Sequence, residues 1–239
     1  MSCMAAQQGM EWLGVAQDAL SWNLQWMLWN TFLAVIPFGL SLVLFRQRQR
    51  RWLAGTERGS LLWWLGVAVF VAFLPNAPYV LTDVIHLIDD IRRESSIWLL
   101  TLVLMPQYLV FMLIGFEAYV LSLINVGQDL KAHGQSRWVT LVELFLHALS
   151  AVGVYLGRFD RFNSWDFVTH PYTVLERTID NLATKQSLML ITITVLVIMG
   201  LYWPLKQITV ALLLQRQYAQ EIGTPGIGTP GIVPKQVSE

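Results

Sequence analysis

Five apolar runs, each close to the roughly 20 residues that a helix needs to cross a ~30 Å hydrocarbon core, constrain this chain more than any other feature. They cover approximately residues 24–45, 61–81, 97–117, 138–157 and 187–205. Composition agrees: of 239 residues, 55% are apolar and only 13% charged, with a mean hydropathy of +0.50, too apolar for an ordinary soluble domain. The expected fold is an all-α polytopic membrane helix bundle of about five transmembrane helices, the second broken by a Pro-Asn-Ala-Pro segment. An N-terminal tail (1–23) precedes the bundle (24–214), and a tail containing the Gly-Pro repeat "IGTPGIGTPGIVP" follows it (215–239). The first run has no basic region before it and no small-residue cleavage site after it, so it reads as a retained span rather than a signal peptide.

Charge sets the expected orientation. The loop after the first run carries Arg46, Arg48, Arg50, Arg51 and Arg58, whereas the N-terminal tail has Glu11 and Asp18 and no basic residue. Cytoplasmic loops are enriched in Lys and Arg, which places the N-terminus outside, the C-terminus inside, and the protein in the cell's inner or plasma membrane. A formal net charge of zero, with no basic stretch interleaved with aromatics, leaves no nucleic-acid footprint. The single cysteine, Cys3, has no partner for an intramolecular disulfide.

Within this apolar background, "LPNAPYVLTDVIHL" (74–87) is out of place. Leu61 to Leu74 makes only ~21 Å of helix, so the span must continue through Pro75 and Pro78, each of which lacks a backbone N–H. Carbonyls freed in lipid need protein or water partners. Together with Asn76 and Tyr79, they point to an unwound element facing the bundle interior, or to a proline kink that ends the span. Asp83 and His86 follow three residues apart, on one face of any helix there.

A second polar cluster, "YLGRFDRFNSWDFVTHP", closes the fourth run with Arg158, Asp160, Arg161, Asn163, Asp166 and His170. Because the second and fourth runs point the same way, both clusters emerge on one face, the outer one by the charge rule. Asn30 in "WNTFLAVIP" of the first run lies at similar depth. Three readings stay open for this layer. Arg158 and Arg161 could present guanidinium forks to an anionic lipid headgroup or small anion; the aspartates could neutralise the arginines in an internal network; or Asp83, His86, Asp166 and His170 could contribute to a metal site. Toward the inner side, Glu117, Glu143 and His147 form another group, Glu143 and His147 sharing a face and suited to a proton-relay step.

The two longer motifs, with the Asn30–Pro37 element, resemble the uncharacterised prokaryotic membrane proteins catalogued as domain of unknown function 1361. The match falls on Asn30, Pro37, Pro75 through Tyr79, Asp83, His86, Gly157, Arg158, Arg161, Asn163, Ser164, Trp165 and Asp166, and covers most of 28–205. It implies a multi-pass membrane protein and brings no activity, cofactor or protein partner with it. No G-x-S-x-G elbow, H-E-x-x-H helix or phosphate-cradling Gly-Lys-Ser loop is present. The functional expectation is an outer-face polar site that binds or transports an anionic group or lipid headgroup. The alternatives are a metal-assisted enzyme on a lipid-linked substrate and an assembly component of a membrane complex.

Overall fold

The computed structural model describes residues 2–46, 58–94, 96–158, 169, 172 and 184–223, with side chains described between 14 and 216. Asp160, Arg161, Asn163, Asp166 and His170 and the tail beyond Gly223 lie outside this set, while residues 215–223, expected in the tail, are helical. Among the described residues there is no strand, and five helices are long and apolar enough to cross a membrane. We label them α1 (Ser2–Phe45), α2 (Leu61–Arg93, in several pieces), α3 (Ile97–Ala132), α4 (Ser136–Arg158) and α5 (Lys185–Gly223).

The helices outrun the apolar stretches that announce them. α1 begins near the N-terminus and passes through the buried Pro37 without a break. α3 continues 15 residues beyond Glu117, about 22 Å of helix, so Glu117 sits near the middle of its helix. The reason is burial inside the bundle: Ala118, Tyr119, Val120, Ser122, Leu123 and Ile124 are all buried, and a helix covered by protein has no need of an unbroken apolar surface. α3 is the hub, packing against α1, α4 and α5. It opens with a π turn at Leu100–Leu104, after Ser96 caps the first turn by accepting from Leu99 N.

Small residues let the helices approach closely, as expected where lipid supplies little hydrophobic drive between them. A Cβ on Gly115 would stand 2.7 Å from Val80 Cγ2, one on Gly66 2.6 Å from Leu44 Cδ2, and one on Gly153 2.5 Å from Pro75 Cγ. The last contact joins α4 to the break in α2. Exposed tryptophans stand near both ends of the bundle, Trp22 and Trp98 at one and Trp64 and Trp138 at the other, with Trp29 and Trp203 exposed along α1 and α5.

Candidate functional site

The break in α2 is a tightening of the helix, not an unwound stretch. Leu74 and Pro75 both keep right-handed helical angles, and Tyr79 N still donates to Pro75 O at 3.0 Å. Pro78 has no N–H for the Leu74 carbonyl, so Ala77 N takes its place at 3.2 Å. The Phe73 carbonyl thereby loses Ala77 as its regular donor, and the Asn76 side-chain amide donates to it at 3.0 Å. Asn76 thus repairs the backbone that the prolines interrupt. A 3₁₀ turn at Val80–Asp83 follows, its Thr82 hydroxyl donating to Tyr79 O at 2.7 Å, before regular helix resumes at Val84.

The tighter pitch carries the Asp83 carboxylate into the bundle, where it is 1% exposed. α4 meets it from the other side. Val139–Arg158 is 20 residues, about 30 Å of helix, the length of one crossing of the hydrocarbon core, and Arg158 is its last residue. Because the Pro75 ring fits over Gly153, five residues earlier on α4, the two helices are close enough for contact there. Arg158 Nη2 donates to Asp83 Oδ1 at 3.0 Å and to the Thr82 carbonyl at 2.5 Å, and the guanidinium lies 5.2 Å from the Tyr79 ring centroid. Asn30 of α1 donates to the other oxygen, Asp83 Oδ2, at 3.1 Å. His86 Nε2 stands 4.0 Å from Asp83 Oδ1 and its side chain is half exposed. Five expected site residues, Asn30, Tyr79, Asp83, His86 and Arg158, therefore gather in one place, and Asn76, on the turn before Tyr79, donates to the Phe73 carbonyl.

A second tier lies seven residues further along. Asp90 Oδ2 accepts from Asn23 Nδ2 at 2.7 Å and from the Tyr108 hydroxyl at 2.9 Å. Trp26 links the tiers, donating to Asn23 Oδ1 at 3.0 Å and stacking obliquely on His86 with centroids 5.0 Å apart. Asn23, Trp26, Asp90 and Tyr108 escaped the sequence reading, although a signal was present. Asn23 and Asn30 are a heptad apart on α1, Asp83 and Asp90 a heptad apart on α2, and antiparallel packing pairs the earlier Asn with the later Asp.

Chemically, a carboxylate with a guanidinium on one oxygen and an amide on the other is fully engaged. Taking such a pair out of water costs several kcal/mol, which the mutual attraction offsets only when the geometry is good, so its contribution is to fix helix positions more than to add stability. Among the described residues, Arg158 uses only Nη2 in hydrogen bonds, leaving donors on Nη1 and Nε. Among those residues, too, no three His, Cys, Asp or Glu side chains gather in a way that could hold a metal ion.

The deeper group is separate. Glu143 and His147 turn to other helices instead of to each other: Lys206 donates to Glu143 Oε1 at 2.5 Å, and His147 Nδ1 meets the Tyr119 hydroxyl at 2.8 Å. Glu117 accepts from the Thr209 hydroxyl at 2.6 Å.

Fold and site together define a polytopic helical membrane protein in which α1, α2 and α4 are joined by a buried, hydrogen-bonded ion pair. The chain belongs to the family described as "Protein of unknown function (DUF1361)", whose profile matches residues 29–200. No curated protein and no solved structure matches it.

Proposed function

We propose that the Asp83–Arg158 layer is an outer-face binding site for an anionic group, with an anionic phospholipid headgroup as the ligand it fits best. One observation carries this reading. Arg158, fixed on one side by Asp83 and the Thr82 carbonyl, still exposes 23% of its side chain next to His86, which exposes 49%. A guanidinium oriented in advance loses little freedom when it accepts a phosphate, and arginine suits such planar recognition. Asp83 then acts as the orienting group, and His86 as a second donor at the rim.

Lipid retention by the purified protein tests the reading. In native mass spectrometry with phosphatidylglycerol and phosphatidylcholine offered together, the wild type is expected to retain the anionic lipid preferentially. His86→Gln, an exposed change that spares the ion pair, is expected to reduce the preference several-fold, and Arg158→Lys to abolish it in protein that remains folded. Equal retention of both lipids by the wild type, or an unchanged preference in both variants, would leave the layer as a helix clamp without a ligand.

A further inference from the structure

We propose a second site, independent of the layer above: Glu117 is a proton-exchanging carboxyl inside the membrane, reached from the inner end of the bundle along a groove between α3 and α5.

Asp83 of α2, Glu117 of α3 and Glu143 of α4 differ in how their charge is compensated. Asp83 has Arg158 and Asn30, and Glu143 has Lys206. Glu117 has a neutral donor, the Thr209 hydroxyl, and among the described residues no cationic side chain stands within ion-pair distance of it. An ionised carboxylate held in this way near the middle of a membrane helix is costly, and residues of that kind mark ion or proton paths. Geometry offers a path as well: Glu117 and Thr209 line a pocket of about 530 Å³ together with Leu212, Leu213, Gln215 and Arg216, which lie further along α5. That volume is many times the ~30 Å³ share of one water molecule, and Gln215 and Arg216 supply polar partners.

The charged surroundings favour exchange from this side. On α5, Lys206 is held by Glu143 of α4, and Arg216 stands two turns beyond Thr209 toward the inner end. His147 of α4 is turned to Tyr119. α1 brings no titratable group nearby, since Asp18, the one charged residue between 14 and 45, lies at its opposite end. The step is a proton transfer alone: a proton carried by water in the groove bonds to Glu117 Oε2, while Thr209 continues to donate to Oε1, and it leaves by the same path.

Infrared difference spectroscopy on the reconstituted full chain tests this directly. The expected result is a protonated-carboxyl C=O band whose intensity changes reversibly with the pH of the buffer. The band should shift in deuterated buffer, vanish in Glu117→Gln, and move without vanishing in Thr209→Val, which keeps the carboxyl and removes its donor. Thr209→Val also identifies the band if Glu117→Gln fails to fold. Two results would overturn the proposal: spectra unchanged by both substitutions, or a Glu117 band that ignores pH and deuterium.

Discussion

Asp83→Asn keeps the shape of the side chain and removes only the charge opposite Arg158, so it isolates the electrostatic part of the clamp. Removing one member of a buried pair costs about 3–5 kcal/mol. Arg158 keeps some contact with solvent, which places the expected loss at the lower end, seen as a fall in the thermal midpoint of the purified protein. The double variant Asp83→Asn/Arg158→Gln should recover part of it, because no charge is then left alone. In the second tier, Asn23→Ala removes one of two donors to Asp90, and a hydrogen bond to a charged group contributes about 1.5–3 kcal/mol. A double-mutant cycle with Asp90→Asn should give a coupling of about 0.5–3 kcal/mol, whereas Asn23 combined with Arg158 should come out nearly additive. Asp83, His86, Arg158 and Asn30 were legible in the sequence because polar residues inside apolar runs demand an explanation. Asn23 and Asp90 were harder to read, since they sit where the runs are already polar and only their heptad spacing gives them away.

At the scale of the element, the break in α2 and the glycine on α4 form one device. Gly153→Ala would drive a methyl to 2.5 Å from the Pro75 ring, which cannot rotate away, and overpacking of this kind costs about 1–3 kcal/mol. Gly39→Ala is the control: nothing lies within 4 Å of its added Cβ, and alanine in a helix interior is favoured over glycine by about 0.5–1 kcal/mol. The expected outcome is a lower thermal midpoint for the first and an unchanged or higher one for the second, with the Gly153 variant also losing part of the Arg158–Asp83 contact. The number and order of spans could be read from hydropathy alone. Their ends could not, because hydropathy follows what touches lipid, and α3 continues for 15 residues under the cover of its neighbours. The form of the break was equally hidden: two prolines suggest a lost helix, but Ala77 and the Asn76 amide restore the carbonyl bonding one position at a time.

For the whole molecule, the convergence of α2 and α4 at Asp83–Arg158 holds whichever way the protein is inserted; the outer placement is the expectation from the charge rule. A Cys3→Ser background with single cysteines at Arg92 or Ser136, both exposed and at opposite ends of the bundle, tests it. In intact cells a membrane-impermeant thiol reagent is expected to label the cysteine at 92 and spare the one at 136; the reverse pattern would turn the proposed site toward the cytoplasm. The partners of the clamp also have an order in time. Asn30 precedes Asp83 by 53 residues, and Asn23 precedes Asp90 by 67, so both Asn–Asp contacts are complete once the first two helices have been synthesised. Arg158 arrives 75 residues after Asp83. Since chains fold from the N-terminus as they emerge, the first hairpin can enter the bilayer with its carboxylates already hydrogen-bonded, and the fourth helix arrives later to neutralise one of them. The Asn–Asp register thus needs only the first two helices, and it gives the Asp83 carboxylate a donor before its counter-ion is made.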